Sequence, residues 1–304
     1  MVMLTLKQFQ YFIKIVEEGS FTAASEKLFI AQSALSRQMK LLEEEIDFQL
    51  FDRTDKKVKL TTAGEVFYKK IKNNMHYLNE IIGVSKNIAE GKNRQIKIAH
   101  SSSIIMDERK IHILKEISLA NHINFEINTL SSEHQILALM SGEIDIGLIR
   151  PPVRHTLDEL SIIKLYEEPL MVAVHVDHVK FASKQEIQVK DLKDEYFVST
   201  PHSKRGGLSY LVSNLCVGAG FWPKAAMIQS RKLSQLQLVA ENLGISIVPQ
   251  EFEKILPHQV KLLPLADYLS LSEVQLVYRK DHDEMIQRCA EQIHQMFYLK
   301  NELA

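Results

Sequence analysis

Five polar side chains near the N terminus have the types and the spacing of a helix face that reads DNA bases. They are Gln32, Ser33, Ser36, Arg37 and Lys40. Glutamine can form two hydrogen bonds with adenine, arginine can form two with guanine, and serine can bond a base edge or a phosphate. A helix that is merely solvated more often mixes glutamate with lysine. The pattern favours a helix that enters a major groove, and a plain helical bundle with one polar face is the alternative.

A basic segment at residues 51–60 follows this helix. Its basic residues are Arg53, Lys56, Lys57 and Lys59, and its acidic residues are Asp52 and Asp55. A turn in this segment could form a hairpin wing, with Arg53 in a minor groove and the lysines on phosphates. Solvated lysines without a partner are the alternative.

Three short helices are predicted to position these side chains. Apolar residues at helical spacing predict a first helix that ends at Gly19, and Ser20 can cap a second helix over residues 21–28. After a three-residue turn, residues 32–45 form the third helix. The apolar positions of the first helix are Leu6, Phe9, Phe12, Ile13 and Val16, and those of the third are Leu35, Met39, Leu42 and Ile46. Together the last two helices predict a helix-turn-helix.

A longer helix is predicted from a capping box at Thr62–Glu65 to about Glu90. At 1.5 Å per residue it is about 40 Å long. Its apolar residues are Val66, Phe67, Ile71, Met75, Leu78, Ile81, Ile82 and Val84. This seam predicts a linker helix that pairs with the same helix of a second copy.

Beyond Gly91 short β-branched runs alternate with helical segments, the first of them Ile105 to Ala120, which predicts a parallel α/β sheet. The runs predicted as strands are IKIAHSSS, INFEINTL, IDIGLIR, LMVAVHV, YFVST, AAMIQS, GISIVP and VQLVYR. The predicted fold class is α/β: an all-α winged helix-turn-helix and linker helix, followed by two α/β lobes around a cleft. The predicted domains are residues 1–61, 62–91 and 92–304. The first lobe takes about 92–164 and 266–304, and the second about 165–265, with crossings near Leu165 and Leu265.

The composition narrows the class of protein further. The chain has 304 residues and a formal net charge of −1, so any nucleic-acid surface must be local. Its two cysteines, Cys216 and Cys289, are too few for a disulfide framework. Since no signal peptide, membrane span, cofactor motif or metal motif is recognised, we expect a cytoplasmic protein without cofactor, metal or membrane partner.

Several motifs occur in a fixed order along the first 65 residues: EEGSFTAAS, AQSALSRQ, LEEEI, QLFDR and LTTAG. With them the chain resembles the LysR-type transcriptional regulators of bacteria, and SGEIDIGLIR and LGISIVP extend the resemblance to the remainder. The resemblance implies a duplex operator with dyad symmetry, a sensor like a periplasmic binding protein, and a tetramer built from dimers. LMVAVH is similar to regulators of aromatic-compound catabolism. Ser33 replaces the usual proline, and Asn242 replaces a usual glycine.

The resemblance also implies where an effector binds. The matching residues are Ser101, Ser102, Ser103, Ser132, Thr200, Pro201, His202 and Ser203. Hydroxyls and N–H groups at helix starts favour an anion, and Arg150 could add a charged contact to a carboxylate. Serines that only cap helices are the alternative.

Three other functions remain as alternatives. A hydrolase could use the serines with His100, or Asp145 with His202, but no GxSxG or HExxH motif occurs. A periplasmic solute-binding protein would need a signal peptide and has no use for the first ninety or so residues. A redox sensor could act through Cys216.

Overall fold

The computed structural model describes residues 4–52, 58–89, 93–199, 206–230, 233–266, 271–281 and 284–299. The chain forms two compact units, Met1–Lys92 and Asn93–Ala304. None of the helices in the described ranges is long and apolar enough to cross a bilayer.

The described residues of the first unit form four helices. They are α1 (Leu6–Glu18), α2 (Phe21–Leu28), α3 (Gln32–Ile46) and α4 (Thr62–Ala89). Local signals set their ends as predicted: Gly19 adopts a left-handed conformation after α1, and the Ser20 hydroxyl accepts the Ala23 N–H at the start of α2. Phe12, Ile15, Leu35 and Leu42 are fully buried between the helices.

Two details of this unit differ from the sequence pattern. Leu6, one of the apolar positions of α1, is 53% exposed, and the buried residues of the helix are Gln8, Tyr11, Phe12 and Ile15. The cap of α4 is Thr61 rather than Thr62, because the Thr61 hydroxyl accepts the Gly64 N–H at 2.9 Å. Gly64 lies against the Leu50 carbonyl, where an added Cβ would be only 2.1 Å from the oxygen. Close contact between α4 and the chain at Leu50 therefore sets this helix start.

The second unit is built on strands that cross between two lobes. The strands are β1 (Arg94–His100), β2 (Ile123–Thr129), β3 (Ile146–Ile149), β4 (Leu160–His175), β5 (Tyr196–Phe197), β6 (Lys224–Ala225), β7 (Ser246–Pro249), β8 (Val260–Pro264) and β9 (Leu271–Arg279). The sheet order is β2-β1-β3-β9-β4-β7, and β8 also pairs with β4. The predicted parallel pairing holds for β1, β2 and β3, whereas β9 and β4 pair antiparallel.

Strand β4 joins the lobes because it changes partners along its length. Its first part, Leu160 to Pro169, pairs with β9, and its last part, Leu170 to His175, pairs with β7 and β8. We call the side of β1, β2, β3 and β9 the first lobe and the side of β7 and β8 the second lobe. Strand β8 is absent from the predicted strands.

In the described ranges of the second unit, five α-helices cover the lobes. They are α5 (Glu108–Asn121), α6 (Ser132–Ser141), α7 (Leu208–Gly218), α8 (Ser234–Ala240) and α9 (Glu284–Leu299). Helices α5 and α9 pack on the first lobe, and α7 packs on the second. Helix α5 was predicted to begin at Ile105 but begins at Glu108, because Asp107 caps it by accepting the Lys110 N–H. Asn242 has a φ of +54°, as expected where it replaces glycine.

Candidate functional site

The predicted polar face of α3 is on the surface of the first unit. Gln32, Ser33, Ser36, Arg37 and Lys40 are all exposed. The opposite side of the helix is buried, with Leu35, Met39 and Leu42 at 2% exposure or less. The five side chains therefore form one continuous surface on a helix whose other side is anchored in the core. We call this surface the α3 face.

The start of α3 is open to a negatively charged partner. The residue before the helix is Ala31, whose methyl side chain cannot accept a hydrogen bond from the first N–H groups of α3. The first turn of α3 has no acidic residue. The positive end of the helix dipole is therefore not neutralised locally.

A buried glutamate positions the segment after α3. One carboxylate oxygen of Glu43 accepts the N–H groups of Leu50 and Phe51, at 2.7 and 3.2 Å. Phe51 then forms an antiparallel bridge with Leu60. The base of a hairpin is therefore present where the wing is predicted, while Arg53, Lys56 and Lys57 lie outside the described residues.

The predicted effector serines occupy two places in the second unit. Ser101, Ser102 and Ser103 form a turn after β1, where the Ser101 and Ser103 hydroxyls share a hydrogen bond of 3.0 Å. This turn is not at a helix start, because α5 begins only at Glu108. The expectation that these serines lie at a helix start is therefore wrong.

Ser132 lies where the starts of two helices meet. It is the first residue of α6, and its hydroxyl accepts the Arg150 N–H at 3.1 Å. A Cβ added at Gly207, which precedes α7, would lie 3.4 Å from the Ser132 hydroxyl oxygen. The predicted loop residues Thr200, Pro201, His202 and Ser203 lie just before Gly207 but outside the described residues. The N-termini of α6 and α7 are therefore neighbours across the two lobes.

Arg150 is fully buried and has protein partners that the sequence did not indicate. Its Nη2 donates to the carboxylates of Glu168 and Glu251, and its Nη1 donates to the Ser272 hydroxyl at 3.0 Å. Its Nε and Nη2 also donate to the Ser103 carbonyl, at 3.3 and 3.1 Å. In this conformation, the guanidinium binds protein groups rather than facing open solvent.

Lys110 completes a buried ionic cluster, which we define as Arg150, Lys110, Glu168 and Glu251. The Lys110 Nζ donates to Glu251 at 2.6 Å, and the other Glu168 oxygen accepts the Glu251 N–H at 2.6 Å. Burial raises the pKa of Glu168, Arg150 opposes that shift, and Glu251 adds to it. The cluster ties the first lobe to the segment after β7 and to the crossing strand β4.

A cleft of about 460 Å³ lies beside the ionic cluster. Its described lining includes Lys110, Tyr166, Glu168, Glu251 and Phe297. None of the effector residues predicted from the resemblance is among the described residues that line it. Sequence reasoning missed this cleft, because its charged residues are far apart in the chain.

The groups needed for the alternative chemistries are engaged elsewhere. The His100 Nδ1 lies 3.0 Å from the carbonyl oxygens of Ser101 and Ile104, and the Asp145 carboxylate accepts the Lys97 N–H. Cys216 is buried in the core of the second lobe, where burial raises the pKa of its thiol to about 12. Within the described part of the chain, no group of three or more His, Cys, Asp and Glu side chains is arranged to hold a metal ion.

Comparison with known families matches both units. Residues 6–65 match the family described as bacterial regulatory helix-turn-helix protein, lysR family. Residues 89–297 match the family described as LysR substrate binding domain.

Individual relatives match over nearly the whole chain. The transcriptional regulator BenM of Acinetobacter baylyi is 32% identical over 285 residues, which cover 91% of this chain and 90% of BenM. The regulator AlsR of Bacillus subtilis is 28% identical and covers 93% of both chains. A crystal structure of full-length BenM has a TM-score of 0.59 at 28% identity and covers 98% of both chains. Full-length CbnR, solved with its target DNA, has a TM-score of 0.65 at 21% identity and covers 97% of this chain and all of CbnR.

Proposed function

The chain belongs to the LysR family of bacterial transcriptional regulators, and we propose that its α3 face reads a duplex operator while its second unit binds a small anionic effector. The observation that carries the first part is the α3 face. Gln32, Ser36 and Arg37 are exposed together on a helix whose opposite side is buried. These side chains can reach base edges without any change in the core.

Arg37 provides the direct test of operator reading. The probe is a duplex that the wild-type protein selects from a randomised library. Arg37→Ala should lower affinity for this duplex by about 1–3 kcal/mol at one salt concentration, because a bidentate contact with guanine is lost. An unchanged circular dichroism spectrum and melting temperature would show that the fold is intact. Equal affinity in the variant and the wild type would contradict the assignment of α3.

The proposed domains are the DNA-binding domain 1–61, the linker helix 62–91 and the effector domain 92–304. Helix α4 supports self-association, because Val66, Tyr77, Ile81 and Ile82 are each between 41% and 60% exposed. Apolar side chains on a long helix are typical of a seam that a second copy covers. We propose that two copies of the chain form a dimer through α4 and that two such dimers form a tetramer. This tetramer binds an operator with dyad symmetry.

The effector is assigned to the junction of α6 and α7, together with the serine turn after β1. Two helix N-termini meet there beside the Ser132 hydroxyl. Backbone N–H groups and the positive ends of two helix dipoles favour a negatively charged group, and the Glu133 carboxylate in the first turn of α6 opposes it. We therefore propose that the effector is a small carboxylate. Arg150 could contact this carboxylate only by giving up one of the protein groups that its guanidinium now binds.

A thermal-shift screen of small carboxylates tests the effector class. A ligand at 100 times its dissociation constant stabilises the fold by about 2.7 kcal/mol. Ser102→Leu, at a half-buried site in the serine turn, should remove this shift and leave DNA binding intact. Ser141→Leu, at the far end of α6, is the matched control and should keep the shift. Equal shifts in the two variants would place the ligand elsewhere.

The proposed function also implies where the protein works and that it is not an enzyme. A regulator that binds the chromosome works in the cytoplasm, and reading DNA and binding an effector require no catalytic step. The redox alternative has a physical obstacle, since a thiol with a pKa of about 12 stays protonated and is a poor nucleophile.

A further inference from the structure

Phe29 occupies an unusual place between α2 and α3. Its side chain is 94% exposed, whereas the next most exposed phenylalanine in the described part of this unit, Phe48, is 36% exposed. Its backbone has a φ of +55°. A bulky side chain is uncommon in this left-handed region, which glycine and asparagine enter more readily. Neither core packing nor local conformation explains a phenylalanine here.

The turn holds Phe29 in a fixed position. Its N–H bonds the Glu26 carbonyl at 3.2 Å, and the next N–H, of Ile30, bonds the Ser25 carbonyl at 3.1 Å. These bonds close α2, and α3 begins three residues after Phe29. The phenyl ring is therefore attached to a rigid turn at the N-terminal end of α3.

The surface around Phe29 continues into the α3 face. Ala31, Gln32, Ser33 and Ala34 are exposed in succession after the turn. In a helix-turn-helix the N-terminal residues of the second helix contact base edges in the major groove. An apolar side chain beside them can contact the 5-methyl group of thymine, a recognised mode of reading that base.

We infer that Phe29 contacts a thymine methyl group in the operator, beside the base read by Gln32. This inference rests on the proposed role of the α3 face. It adds an apolar reader to a surface that is otherwise polar. It also accounts for a residue type that neither the fold nor the solvent favours at this position.

The test uses the full chain and a duplex that the wild-type protein selects from a randomised library. Each thymine is replaced in turn by deoxyuridine, which lacks only the methyl group. Wild-type affinity should fall about fourfold at one thymine in each half-site, as expected for one buried methyl group. Phe29→Asn should bind the parent duplex more weakly and be insensitive to that replacement. Its melting temperature should stay equal or rise, because asparagine tolerates the left-handed conformation.

Two other variants separate the possible failures. Leu6→Asn removes another exposed apolar side chain of the same unit and should leave affinity unchanged. If Arg37→Ala weakens binding and Phe29→Asn does not, this inference is wrong while the role of the α3 face stands. If neither weakens binding, both are wrong. A Phe29→Asn variant that loses affinity but keeps the deoxyuridine penalty also overturns the inference, because the contact is then not with the methyl group.

Discussion

Replacing Arg150 with methionine should destabilise the second unit strongly. Arg150 and Lys110 supply two positive charges to the buried ionic cluster, and Glu168 and Glu251 supply two negative charges. Methionine keeps much of the arginine volume but removes the charge and all of its donors. Glu168 then stays buried without a counter-ion, and the Ser103 carbonyl loses both of its bonds to Arg150.

The size of the effect follows from burial. The side chains of Arg150, Glu168 and Glu251 are 0%, 10% and 7% exposed, so solvent screens these charges little. Removing one partner of a buried pair costs about 3–5 kcal/mol. For a unit of this size, that corresponds to a fall in melting temperature of about 6–20 °C.

The loss should also depend on pH. The pKa of Glu168 is already raised by burial, and losing Arg150 raises it further, because Arg150 opposes that shift. A carboxyl group whose folded pKa lies above its unfolded value stabilises the fold below the unfolded pKa, and that contribution is lost as the pH rises through the folded pKa. The deficit of Arg150→Met relative to wild type should therefore be larger at pH 8 than at pH 5.

Urea unfolding followed by tryptophan fluorescence measures this loss. Trp222 is the one tryptophan of the sequence and belongs to the second unit, so its signal reports that unit. Lys164→Met is the control: its ion pair with Glu167 is about half exposed, and its loss should cost less than about 1 kcal/mol. Adding Glu168→Gln to Arg150→Met should restore part of the stability, because the uncompensated charge is removed. A loss below about 1 kcal/mol, or an equal loss at both pH values, would refute the role given to the cluster.

Three further predictions concern other parts of the chain. Lys40→Ala should weaken binding equally to selected and unrelated duplexes, because a phosphate contact carries no sequence information. Measured at several salt concentrations, the slope of log affinity against log salt concentration should fall by about 1. A loss that depends on the sequence of the duplex would contradict a phosphate contact. Ile81→Glu combined with Ile82→Glu should leave both units folded but yield a monomer in sedimentation, and an unchanged mass would place the α4 seam elsewhere. Cys216 should resist alkylation by iodoacetamide at pH 8 in the folded chain and react after unfolding, because its thiol is buried and burial raises its pKa to about 12. Rapid labelling of the native chain would instead support the redox alternative.

Local signals made the first unit the most predictable part of the chain. Gly19 and Ser20 mark a helix end and a helix start by their own conformational and capping chemistry. Such signals act within three or four residues, so they can be recognised without the rest of the fold. The α3 face was equally accessible, because a polar stripe at helical spacing needs only the helix to be exposed. Phe29 carried no sequence signal, since its exposure and its positive φ arise only in the folded turn.

Errors arose where long-range contacts replaced local signals. Ile105 was predicted to begin α5, but it packs with Ala173 and Val248 of the second lobe instead, and Asp107 caps the helix. An apolar residue before a helix gives no indication of which core it enters. Thr62 was likewise displaced as the cap of α4 by Thr61, because Gly64 fits against the Leu50 carbonyl.

Residue types at short spacing were enough to predict the helices of the first unit, the change to an α/β second unit and the exposed polar face of α3. The partners of Arg150, by contrast, depend on contacts between distant parts of the chain. Its partner Glu251 lies 101 residues away, and the Lys110–Glu251 pair spans 141 residues. The crossing near Leu165 was predicted, but the sequence pattern did not indicate that it brings these four charges together. A sequence does not show whether a charged side chain is solvated or is paired with a buried counter-ion, because that depends on which distant residues the fold brings together.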